Sequence, residues 1–180
     1  MHQRATVYVC DSHRLVQDAI KALKNAGSDL RHLSVVGKDC CSADQSLNFC
    51  EDAASQKRLA AWVSFWHKIW SQLTGDAFLT ISGIGPILVA GPLAQPMISA
   101  WTNLQFHEEI SPLRDALRDW HISVKSISDY ESALQAGHFL VVVHGDSSQV
   151  AKARETLDSS LFRKPPAQRD GAGAQSGQRH

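Results

Sequence analysis

Hydrophobic and polar positions change period several times along this chain, and each change marks a predicted element. Thr6-Val7-Tyr8-Val9-Cys10 is β-branched and aromatic, and Asp11-Ser12 supplies a turn and helix cap before Leu15, Ile20 and Leu23 at helical spacing. Ala26-Gly27 closes that helix and Leu33-Ser34-Val35-Val36-Gly37 reads as a strand, so residues 6–37 predict a β-α-β unit. Residues 39–57 read as a connecting loop. From Arg58 to Leu73, Trp62, Phe65, Trp66, Ile69, Trp70 and Leu73 recur at three- and four-residue steps, which gives a helix one aromatic and aliphatic face.

From Ala77 to Phe106 there is no Asp, Glu, Lys, Arg or His. One helical span of a bilayer needs about 20 apolar residues, so this run has the length to cross once, although Pro86, Pro92 and Pro96 interrupt it. Gly83-Ile84-Gly85-Pro86 predicts a turn, because glycine accepts positive φ and proline cannot sit inside a helix. Pro86 is tolerated in the first turn of a second arm running through Leu93, Met97, Ile98, Trp101 and Leu104. The predicted shape is a hydrophobic helical hairpin over residues 58–106, with its turn and breaks at Gly83, Gly85, Pro86, Gly91 and Pro92.

Beyond it, Ser111-Pro112 opens an amphipathic helix with Leu113, Leu117 and Trp120, and a further helix is expected from Ser126 to Ala136. Phe139-Leu140-Val141-Val142-Val143-His144 is the clearest strand, and Ser147 to Leu157 a final helix capped by Ser147 and Ser148. From Arg163 onward Pro, Gln, Gly and Ala dominate, so residues 163–180 are expected to be a disordered tail. The expected fold is a single α/β domain over residues 5–157. It is an α/β sandwich related to ferredoxin-like folds, with a three- to four-stranded sheet, packing helices and the inserted helical hairpin.

Charge and chemistry narrow the function. Eighteen basic residues balance eighteen acidic ones, which gives no electrostatic reason to expect nucleic acid or an anionic surface as partner. The first residues lack the basic-then-apolar stretch of a secretory signal, so a cytoplasmic location is expected. Cys10, Cys40, Cys41 and Cys50 lack paired CxxC spacing, and the last three can hold a soft metal only if the fold adds a ligand such as His32; incidental thiols are the cheaper reading. Gly83 and Gly85 lie inside an apolar run and form no phosphate loop. Asp11, Ser12 and His13 would meet His144 and Asp146 at one sheet edge if their strands ran parallel, but no nucleophile elbow surrounds Ser12, and capping accounts for Asp11, Ser12 and Ser147. No enzyme activity, cofactor or metal is expected.

Three segments in order resemble bacterial general stress (heat-induced stress) proteins. They are Val7-Tyr8-Val9 with His13, Leu23 and Ala26-Gly27 running into Leu33 to Asp39; Gly83-Ile84-Gly85-Pro86-Ile87-Leu88-Val89-Ala90-Gly91-Pro92-Leu93-Ala94; and Tyr130 to Gly145. The resemblance implies a small α/β domain interrupted by a glycine-rich hydrophobic hairpin and an association with membrane, with no catalytic residue. The leading expectation is thus a non-enzymatic stress-related protein whose Trp62, Phe65, Trp66, Ile69 and Trp70 face contacts membrane lipid. The alternative is a soluble oligomeric interaction or ligand-binding module with the hairpin buried in a homo-oligomer interface, which the charges of Lys68 and Asp76 favour.

Overall fold

The computed structural model describes residues 4–38, 53–103 and 111–158. Cys40, Cys41, Cys50, most of the expected 39–57 loop and the 163–180 tail lie outside the described residues. The elements are β1 (Arg4–Cys10), α1 (His13–Asn25), β2 (Leu33–Lys38), α2 (Ala53–Trp70), β3 (Asp76–Ile81), β4 (Gly85–Ala90), α3 (Ala94–Asn103), α4 (Pro112–Asp119), α5 (Val124–Gln135), β5 (Phe139–Gly145) and α6 (Ser147–Asp158). They form a mixed α/β sandwich around a five-stranded sheet of order β1-β5-β2-β4-β3, antiparallel at every neighbouring pair.

Local chemistry sets the boundaries. Ser12 caps α1 by accepting from the Leu15 N–H at 3.4 Å, and Ser123 caps α5 by accepting from the Ser126 N–H at 3.3 Å. The cap of α6 is Asp146, which accepts from the Ser148 and Gln149 N–H groups at 2.9 and 2.8 Å, one residue before the serines expected in that role. Pro96 falls in the first turn of α3, where a missing N–H costs nothing, so it neither kinks nor shortens the helix.

Both sheet faces are buried. On one, Tyr8, Val35, Leu88, Val141 and Val143 pack under residues of α1, α2 and α6; on the other, Val7, Val36, Leu79, Val89, Leu140 and Val142 pack under α3, α4 and α5. This explains why β5 is apolar without alternation: all seven of its residues are buried. The connections β1-α1-β2 and β2-α2-β3 each skip one strand over the first face, and the β4-to-β5 connection skips β2 over the second. Strands β4 and β5 run opposite to β1 and β2, and their step across the sheet is reversed. A connection of the same hand as β1-α1-β2 would therefore lie on α1's face; lying on the other, it has the opposite hand. Such crossovers in proteins overwhelmingly share one hand. Here connections of opposite hand cover the two faces.

The expected helical hairpin is corrected. Residues 76–90 form a β-hairpin, and its two strands raise the sheet from the expected three or four strands to five. The period of two decides it: Ala77, Leu79 and Ile81 are buried while Phe78 and Thr80 are exposed. The Ile84 N–H donates to the Ile81 carbonyl at 3.1 Å, and Gly83 sits at φ 81°, the arrangement of a type II turn with glycine at its third position. Gly91 ends β4 at φ 100°, and a methyl group there would collide with the Leu33 carbonyl oxygen.

One contact locks α2 to the sheet. A Cβ on Gly37 would lie 2.6 and 2.7 Å from two Phe139 ring carbons and 2.9 Å from Cζ2 of Trp66, so both rings occupy the space that glycine leaves open. Gly37→Ala is expected to destabilise the chain by about 1–3 kcal/mol through overpacking, read as a lower urea midpoint at unchanged slope.

Candidate functional site

The aromatic face of α2 is the inner face of that helix. Phe65, Trp66 and Ile69 are fully buried, with Phe65 5.4 Å and Trp66 6.4 Å from the Phe139 ring, centroid to centroid. Membrane or subunit contact by these three residues is therefore corrected: a sheet face needing cover claims them first. Trp62 is half-buried against Trp66 at 5.8 Å, and Trp70 alone of the five is exposed, at 38%. Among the described residues no helix is long and apolar enough to cross a membrane.

Strands β1 and β5 are antiparallel, so Asp11, Ser12 and His13 lie at one end of the sheet and His144 and Asp146 at the other. Asp11 Oδ1 is 3.8 Å from His138 Nδ1, and His13 meets Phe65 edge-on at 5.7 Å. At the far end the His144 ring stacks on Trp120 at 4.3 Å and 8°, with His32 edge-on at 5.3 Å. The Nδ1 atoms of both histidines are buried without a hydrogen-bond partner. Burial, and then the charge of His32, push His144 down to about 4, against a backbone hydrogen bond with His32 that acts the other way.

The other perturbed groups in the sheet are also held neutral. Burial, and then Asp11, push the Cys10 thiol up to about 12. Burial, then a 2.9 Å hydrogen bond to Asp158, raises Tyr8; burial, then Asp129, brings Tyr130 to about 12. None of these is an activated nucleophile or a base poised near neutrality. Among the described residues no group of three or more His, Cys, Asp or Glu side chains could hold a metal. An open cleft between α3 and α4, rimmed by Gln95, Ser99, Asp115, Arg118 and Asp119, contains no buried polar group aimed into it.

The surface that sequence reasoning missed is the free edge of the sheet at β3. Among the described residues this strand pairs only with β4. Phe139, Gly37, Leu88 and Phe78 oppose one another in a row across β5, β2, β4 and β3, and the last of them is 58% exposed. On the other face α3 packs against β3 and α4. Gln95, Pro96, Ser99 and Ala100 line the cleft toward α4, which leaves Ile98 and Trp101, 37% and 44% exposed, on the flank away from it. Thr80 opposes Pro86, which has no N–H to give. That makes Thr80–Pro86 a non-hydrogen-bonded pair, so the backbone groups of Asp76, Phe78 and Thr80 point to the free edge. The opposite edge strand, β1, is buried or half-buried at every residue but Arg4. The alternation Ala77-Phe78-Leu79-Thr80-Ile81 was the available signal for the β3 edge.

No family model, curated protein or solved structure matches the chain.

His144 yields a pH prediction. Its pKa is about 4 folded and 6.5 as the ordinary value, so the unfolded chain takes up the proton first as pH falls. Its contribution is constant above pH 6.5, and stability is lost between pH 6.5 and 4, by about 3 kcal/mol at most. Urea unfolding across that range should show His144→Phe losing less stability than the native chain.

Proposed function

We infer that the chain is a non-enzymatic interaction module that docks another polypeptide on the uncovered β3 edge of its sheet, with the resemblance to general stress proteins supplying its setting, a cytoplasmic stress response. The carrying observation is a strand with no partner on one side among the described residues, whose central aromatic, Phe78, is 58% exposed, while α3 on the other face carries the exposed Ile98 and Trp101. Edge strands of soluble proteins are ordinarily blunted by lysine, proline, a bulge or a covering element, because an open edge recruits strands. Within β3 the only charged residue is Asp76, at its start. The hydrophobic hairpin thus remains the contact element, as a pair of strands. Lipid contact through the α2 tryptophans has less support, since that face is largely spent on the core.

A photoreactive benzoylphenylalanine in place of Phe78, irradiated in intact cells, should give a discrete protein adduct, absent when the probe replaces the exposed Ser132 of α5. An adduct with lipid alone supports the membrane reading instead. No adduct at position 78 overturns docking at this edge.

A further inference from the structure

We propose that the partner at this edge is a second copy of the chain, paired β3 to β3 in antiparallel register about Phe78, so that two sheets join across a two-fold axis. The inference rests on the preceding reading of the β3 edge as a docking surface and adds the identity and register of the partner.

Backbone geometry restricts the register. Only residues whose N–H and C=O point outward can form the bonded pairs of a new antiparallel ladder, and in β3 these are Asp76, Phe78 and Thr80. Pairing these even-numbered positions with one another requires that opposed residue numbers sum to an even value. Centring on Phe78 sets Phe78 against its own copy and Asp76 against Thr80 of the second chain, twice by symmetry, which satisfies the outward groups of all three residues. Moving the centre by one residue toward the strand's start sets Asp76 against Phe78, a carboxylate against an aromatic ring. Moving it by two sets Asp76 against Asp76, and like charges directly opposite destabilise a sheet. Moving it the other way takes Asp76 beyond the strand, opposite Ser82 in the turn. The register about Phe78 is the one in which the aromatic meets an aromatic and the carboxylate meets a hydroxyl donor.

Both faces fit the same axis. An antiparallel two-fold runs perpendicular to the sheet, so each face continues into its equivalent in the second copy. On one face the row Phe139, Gly37, Leu88 and Phe78 continues into Phe78 of the second copy and covers the side chain that the monomer leaves bare. On the other, the two α3 helices, each packed against its own β3, lie on the same side of the joined sheet, and each carries the partly exposed Ile98 and Trp101 off the cleft toward α4. Such a contact is isologous, and it closes at two copies because it consumes the β3 edge of each.

Opposed charge substitutions at Thr80 test the register. Its side chain is exposed, so both Thr80→Asp and Thr80→Lys leave the core untouched, which matching melting curves will verify. In the proposed register Thr80→Asp places carboxylates opposite Asp76 at two symmetric positions, and Thr80→Lys places an ammonium there. Sedimentation of the full chain should show a dimer, weakened about tenfold by Thr80→Asp and unchanged or tightened by Thr80→Lys. Equal weakening by both overturns the register, as does no response to either. A native chain that stays monomeric at every concentration overturns self-pairing. In that case a Phe78 photoadduct with a different protein would leave the docking reading standing, whereas the absence of any adduct would remove both.

Discussion

Trp66 fills the gap that Gly37 leaves in the sheet, and the position of α2 follows from that contact. The indole lies against the Phe139 ring and sits tilted between Trp62 and Trp70 along the helix, while Phe65 meets Phe139 edge-on. Burying such a ring is worth about 3 kcal/mol, and removing one from a core costs about 3–5 kcal/mol. Against this stands the Trp66 Nε1–H, buried without a partner, a cost of about 1–3 kcal/mol. Packing wins, so a helix that looks built for an interface serves as the lid of β2 and β5.

The same contact decides what is left uncovered. With α2 held above β2 and β5, its cover ends before β3, and the cross-strand row that begins under the helix at Phe139 ends in solvent at Phe78. The second face is closed by the β4-to-β5 connection of opposite hand, whose helix α3 packs against β3 and keeps Ile98 and Trp101 partly exposed. Two covered faces and one open edge are consequences of one arrangement.

The sequence discloses the fold where local and tertiary demands agree. The first β-α-β unit, the β5 strand and the helices after Ser111 carry periods that nothing in the tertiary structure opposes, and α1, α5 and α6 also carry side-chain caps. It misleads between Ala77 and Ala90, where the absence of charge dominates a helical reading although the period of two in Ala77-Phe78-Leu79-Thr80-Ile81 points to a strand; the second arm is helical as expected, in α3. Apolar runs of this kind look alike whether they enter lipid or the middle of a sheet covered on both faces, because each environment excludes charge. The Trp face of α2 was legible as a contact surface, but its occupant was not, since only the sheet register shows that Gly37 opens a place for an indole. The β3 edge was invisible for a related reason: a strand becomes an edge only through strand order.

Buried chemistry points to the same surface by a different route. Cys10, Tyr8 and Tyr130 have their pKa values pushed away from neutrality in the protonated form, and burial, then its neighbour His32, holds His144 uncharged. Groups that could do acid-base or nucleophilic work are thus kept in their inert state by the burial that stabilises the sheet. Burial moves these four away from a change of charge near neutrality. Among the described residues a row of backbone donors and acceptors at Asp76, Phe78 and Thr80 has no strand partner, and the exposed Phe78 ring lies in it. Such a row recognises only another strand, which is why the open edge, more than any pocket or titrating group, carries the functional reading.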